Sequence, residues 1–200
     1  MEDWKRVFWT DETKLNRIGS DGKVYVWKQQ GKPVSDLTTT PTVKHGGGNN
    51  LMVWDCMGNG VGKLIEVQGK MGAEQDCEIL EEGVEESFET LEMVEDGCYF
   101  QQDNDPKHTS KKADQWFSDN ITPLKWPTQS PDLNPIEHLW QYLMTKLQQY
   151  DTPPKGVHDL WDRVAEEWNE IPPETCQTLI ESMPRRIQAV LKAKGGHTKY

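Results

Sequence analysis

Two apolar runs in this chain lead into an acidic residue. Val7-Phe8-Trp9 comes just before Asp11, and Cys98-Tyr99-Phe100 just before Asp103. Short runs of bulky apolar residues read as buried strands. If the two strands lie side by side, their ends bring both carboxylates to one edge of a sheet, where open α/β sheets bind ligands. A third acid, Glu137, stands just inside a helix start, with Asn134 as N-cap, Pro135 at N1 and Glu137 at N3. Carboxylates gathered in this way supply the oxygen ligands that hard divalent cations need. Two such cations about 3.5–4 Å apart drive in-line phosphoryl transfer in many nucleases and polymerases.

Each acid also fits a purely structural role. Asp103-Asn104-Asp105-Pro106 is good turn chemistry. Glu137 at N3 can return a capping hydrogen bond, and Asp11 can be a solvated strand end. Residue type and placement leave both readings open.

The remaining chain must supply a core. Its 200 residues suit one domain with a sizeable interior. The hydrophobic fraction is only 34% and the mean hydropathy is −0.81, so nine tryptophans carry much of the burial. No run of eighteen apolar residues is present and no signal peptide opens the chain, which predicts no membrane partner. Cys56, Cys77, Cys98 and Cys176 are widely spaced, without a Cys-x-x-Cys pair, and read as free thiols of a reducing compartment.

The net charge of −11 disfavours nucleic acid until it is located. Residues 74–96 hold eleven acids and no Lys or Arg, so the rest has 22 acids and 22 bases. Ile79, Leu80, Val84, Phe88 and Leu91 recur there at helical spacing, which predicts an amphipathic helix with an acidic outer face. Such a face would repel DNA from one side of the sheet.

Basic residues suggest phosphate contacts elsewhere. Arg185, Arg186, Lys192, Lys194 and Lys199 follow one another without an acid. They can neutralise phosphates, or simply complement a helix C-terminus. Lys44 and His45 precede Gly46-Gly47-Gly48, whose bare amides can approach a phosphate or form a connector. Lys107 is placed for a phosphate contact, and His108 can orient a water or bond backbone as a structural histidine.

The coarse order is strands first, then alternating helices and strands, then helices. Strands are expected over Trp4–Thr10, Thr13–Ile18, Lys23–Trp27, Leu51–Met57 and Cys98–Gln102, with a short one at Thr122–Trp126. Helices are expected over Ser110–Asn120, after Asn134, around Val157–Trp168, and in two pieces about Pro184. That pattern is a layered α/β domain with a mixed sheet.

The segments QQDNDPKHTSK and WPTQSPDLNPIEHLW resemble the catalytic core of the Tc/mariner superfamily of DNA transposases, in the branch whose third carboxylate is Glu. WTDETK, PTVKHGGG and MPRRIQAVLKAKGGHTKY resemble it too, so the likeness runs in order over nearly the whole chain. It implies an RNase H-like fold: a mixed central sheet flanked by helices over about 4–150, and C-terminal helices over about 155–194, in one domain spanning 1–200. It further implies that Asp11, Asp103 and Glu137 are the catalytic triad and hold two Mg²⁺ ions, with Mn²⁺ as a substitute. Asp11 would bridge both ions, Asp103 hold one and Glu137 the other. One ion would activate a water or a 3′-hydroxyl, and the other would stabilise the leaving 3′-oxygen. The implied partners are DNA, as transposon ends and TA target sites, and a second subunit in a homodimer. The implied reactions are end cleavage and strand transfer in the nucleus, and the region from Gln29 to Asn50 would include a loop touching a partner subunit and DNA.

This chain departs from the family pattern at two places. Thirty-three residues separate Asp103 from Glu137, one fewer than usual, with the deletion expected in the loop around Ser118–Pro123. Asp55 stands between Trp54 and Cys56 where Gly is usual, and in a central strand it must find a partner or stay near solvent. Family members also carry two N-terminal helix-turn-helix units. No stretch here reads as a recognition helix, so that region is expected to be absent and specific end binding with it. Two other readings remain: a non-catalytic or domesticated derivative acting through protein contacts, and a metal-dependent RNase H-like nuclease.

Overall fold

The computed structural model describes residues 3–17, 50–69, 71–93, 97–105, 108 and 110–200. Strand β1, Val7–Asn16, lies in the middle of a five-stranded sheet. Its first four residues are all buried, because both faces of the sheet are covered. Antiparallel β2, Asn50–Met57, flanks it on one side, and parallel β4, Tyr99–Gln101, on the other. Strands β3, Ile65–Glu66, and β5, Thr122–Pro123, close the order β3-β2-β1-β4-β5.

Two expectations at the sheet are corrected. Thr13–Ile18 does not begin a separate strand: β1 continues through Asn16, because Asp11 to Asn16 pair with Asp55 to Asn50 on β2. The fifth strand is only Thr122–Pro123: Leu124 N–H still donates to the Phe100 carbonyl of β4 (2.7 Å), but Pro123 has no N–H to donate. The expected strand Lys23–Trp27 lies outside the described residues.

Strand alternation sends side chains to two cores. Val7, Trp9, Leu51, Val53 and Met57 pack under helices α3, Ile136–Leu147, α4, Val157–Asn169, and α5, Pro173–Ile180. Phe8, Trp54 and Phe100 pack under α1, Ala73–Thr90, and α2, Lys111–Asn120. Ser110 caps α2, its Oγ accepting from Ala113 N–H at 3.1 Å. Trp140 and Trp168 stack at 4.7 Å to lock α3 on α4. Helix α6, Met183–Lys192, follows and contacts a 3-10 turn, Pro131–Leu133. Gly83 is what lets α1 settle on the sheet: a Cβ there would stand 2.3 Å from Trp54 Cζ3.

The acidic helix is amphipathic as its spacing predicts, with Ile79, Leu80 and Val84 buried and Glu78, Glu81, Glu82, Glu85 and Glu89 exposed. One of its acids, Asp76, points inward and is fully buried. All four cysteines are free and buried. Asp55 is also fully buried. Its Oδ1 accepts from the next residue's own N–H, Cys56, and its Oδ2 has no hydrogen-bond partner among the described residues. Burial therefore holds its carboxyl well above the usual carboxylate range.

Candidate active site

Asp11 leaves the middle of β1 on the side covered by α3. Asp103 stands two residues beyond the end of β4, and the parallel pairing of Val7 with Tyr99 through Trp9 with Gln101 brings it alongside the Asp11 region of β1. Thr10 adds a tie, its Oγ1 donating to the Gln101 carbonyl at 2.7 Å. Glu137 sits in the first turn of α3. All three carboxylates line one open cleft of about 700 Å³, together with Asn104, Trp126 and Asn134.

The N-terminus of α3 differs from its expected capping. Pro135 is the N-cap residue and Glu137 falls at the second helical position. Asn134 instead donates from Nδ2 to the Thr10 carbonyl (3.1 Å), while its Oδ1 accepts weakly from Ile136 N–H at 3.4 Å. The residue thus ties the helix start to the strand that carries Asp11.

The electrostatics of the cleft follow from placing acids together in a half-dry site. Burial above all, with Glu137 and Glu12 acting in the same direction, raises the Asp11 carboxyl to about 8. Burial raises Glu137 as well, opposed by its hydrogen bond with Asp11. Both carboxyls are thus held above the usual carboxylate range, because each loses water. Asp103 is more open, with a side chain 64% exposed, and its Oδ1 accepts from Asp105 N–H at 3.0 Å.

A second cluster lies behind the cleft. His108 Nδ1 is 3.0 Å from Asp76 Oδ1, and its Nε2 is 3.4 Å from Glu12 Oε1 and 3.5 Å from Asp103 Oδ1. Burial disfavours the imidazolium, yet hydrogen bonds to Asp76 and Glu12 outweigh it and carry the ring to about 9. A charged histidine therefore stands among three carboxylates. Ligand atoms of Glu12, Asp76 and His108 also lie within 4.8 Å of one another, close enough to share a cation. The protonated ring already supplies that positive charge.

The candidate phosphate-binding residues fare differently. Lys44, His45 and Lys107 lie outside the described residues. Arg185 is exposed on α6. Arg186, expected on a basic surface, is only 1% exposed and turns inward to the Pro131–Leu133 turn and His138. His108 is buried and committed to carboxylates rather than turned to solvent. Glu12 and Asp76 were not expected at the site. Glu12 is legible only as the neighbour of Asp11 on the opposite face of its strand, and Asp76 looks like any other acid of its helix.

The model of the DDE superfamily endonuclease matches residues 6–156. This chain belongs to the DDE endonuclease superfamily. The Tc1 transposase of Caenorhabditis elegans is 41% identical over 207 residues, covering 100% of this chain and 72% of that protein. The Tc3 transposase of the same organism is 31% identical, covering 99% of this chain and 59% of its own length. Among solved structures, the Mos1 mariner paired-end complex with Mn superposes with a TM-score of 0.80 at 18% identity, over 98% of this chain and 57% of that one. The Mos1 catalytic domain with Raltegravir and Mg gives 0.70 at 15% identity, over 98% and 87%. The RNase H-like fold expected from the motifs is thus the fold of this superfamily member.

Proposed function

We propose that this chain is the catalytic region of a cut-and-paste DNA transposase, cleaving strands at transposon ends and joining them to target DNA. The observation that carries this reading is the convergence of Asp11, Asp103 and Glu137 on one cleft. A purely oxygen donor set is what Mg²⁺ and Mn²⁺ accept. Asp11, Asp103 and Glu137 would hold two such ions, which would supply Lewis-acid activation of a water or 3′-hydroxyl and stabilisation of the leaving 3′-oxygen. The related Mos1 structures described with Mn and with Mg support this choice of ion. The chain's own part is to hold the carboxylates: β1 and β4 fix two of them, and α3 brings the third.

DNA is the proposed partner, with TA dinucleotides as targets and a second subunit completing a homodimer. Arg185, Lys192, Lys194 and Lys199 are exposed and remain the described candidates for phosphate contacts from the basic run. Action on chromosomal DNA places the protein in the nucleus. No helix among the described residues is long and apolar enough to cross a membrane.

The reading is tested by Mn²⁺-dependent nicking of a supercoiled plasmid. Wild type should nick and Asp103→Asn should not, with both giving the same circular-dichroism spectrum. Equal nicking by the two proteins would overturn it. Asp55 favours a second reading, a transposase-derived domain acting through protein contacts, because a buried acid with an unpartnered oxygen weakens the fold around the site.

A further inference from the structure

Glu137 reaches the cleft at the end of an irregular segment, residues 124–135, which must itself be held. Three bonds hold its ends: Leu124 N–H donates to the Phe100 carbonyl of β4 at 2.7 Å, Asn104 Nδ2, on the loop after β4, to the Trp126 carbonyl at 2.9 Å, and Asn134 Nδ2 to the Thr10 carbonyl of β1 at 3.1 Å. Between these anchors lie Gln129, with a positive φ of 51°, and the 3-10 turn Pro131–Leu133. Nothing from the sheet grips that turn in the bonds described.

The far end of the chain does. Asp132 Oδ2 accepts from both Thr198 N–H at 2.8 Å and Thr198 Oγ1–H at 2.6 Å. Thr198 Oγ1 in turn accepts from Tyr200 N–H at 3.1 Å. Beneath them Arg186 is almost fully buried. It donates from Nη1 to the Asp132 carbonyl (2.9 Å) and from Nε to Ser182 Oγ (2.7 Å), and its Nη2 lies 3.0 Å from His138 Nδ1. The Tyr200 ring covers the guanidinium at 4.9 Å and meets the His138 ring edge-on. His138 directly follows Glu137 on α3.

We propose that Thr198, Tyr200 and Arg186 are positioning residues for the metal site: they strap the Pro131–Leu133 turn and so set where Glu137 stands. The inference rests on the metal-binding reading above. The geometry favours a positioning role over simple surface packing. The strap bonds the turn that precedes α3 and the residue after Glu137, while touching neither Asp11 nor Asp103. Groups that orient a metal ligand from outside typically change metal affinity by about 10–100-fold when removed.

The experiment is a Mn²⁺ titration followed by electron paramagnetic resonance, without DNA, on wild type, Asp103→Ala, Asp132→Ala, Thr198→Ala and Thr198→Ser. Melting in excess EDTA accompanies it. Thr198→Ala and Asp132→Ala should weaken Mn²⁺ binding about tenfold while melting within a few degrees of wild type, and Thr198→Ser should restore affinity. Equal Mn²⁺ binding by wild type and Asp103→Ala would overturn the metal reading itself. Binding that is lost in Asp103→Ala but unchanged in Thr198→Ala and Asp132→Ala would overturn the strap alone. If Asp132→Ala melts early, the Thr198→Ala and Thr198→Ser pair decides.

Discussion

His108 Nδ1 and Asp76 Oδ1 lie 3.0 Å apart, both buried, joining the acidic helix to the loop that carries Asp103. The bond turns one acid of a solvated face into a structural partner. Because the ring is raised to about 9, its contribution is fully present below the unfolded value of about 6.5 and is lost as pH rises through about 9. We expect His108→Gln to cost about 3 kcal/mol at pH 6, and much less at pH 10. Urea midpoints at the two pH values measure this; an equal loss at both would refute the charged pair.

Asp55 should be a liability to folding. Its carboxyl is raised, so its protonated form is tolerated below the unfolded value near 3.8, and stability falls as pH rises above that. Asp55→Ala should therefore stabilise the domain by about 1–3 kcal/mol at pH 8, and by less at pH 5. Thermal melts of both proteins across that range check the sign.

The coupled Asp11–Glu137 pair predicts that metal and proton compete. With Asp11 raised to about 8, Mn²⁺ affinity should rise from pH 6 to pH 8 and then level off. The same raised value means the metal-free fold loses stability as pH climbs from near 3.8 toward about 8. Asp11→Asn should thus melt higher than wild type in EDTA at pH 8, yet gain nothing from added Mn²⁺. Calorimetry in two buffers of different ionisation enthalpy would count the released proton.

Gly83→Ala reverses a familiar rule. In an exposed helix the change is worth up to about 1 kcal/mol of stabilisation. Here the new methyl meets the Trp54 ring at 2.3 Å and must push α1 off the sheet. We expect a loss of about 1–3 kcal/mol by urea unfolding.

How much of this was legible beforehand depends on the range of the interactions. Asp11 and Asp103 could be read because each follows its own apolar run, and the parallel β1–β4 pairing then joined them. Glu137 was legible from its helix start, although tertiary bonding overrode the cap: Asn134 reaches across to Thr10 instead of capping at close range. Asp76 was not legible, since its inward turn depends on His108, 32 residues away. Arg186 looked like one more surface cation. Only the folded chain brings Asp132, 54 positions earlier, to its guanidinium. Asp55 was expected to find a partner or reach solvent, and among the described residues it has only its neighbour's amide.

The central position of β1 also has a kinetic meaning. Its antiparallel partner β2 follows it in the chain, but its parallel partner β4 pairs Val7 with Tyr99, and Glu137 arrives later still. Long-range parallel pairing closes slowly because loop entropy opposes it before contacts reward it. A chain caught with only β1 and β2 joined would hold Asp11 without its two companions. Such an intermediate would be blind to divalent ions, so Mn²⁺ should slow unfolding while leaving the early folding phase untouched.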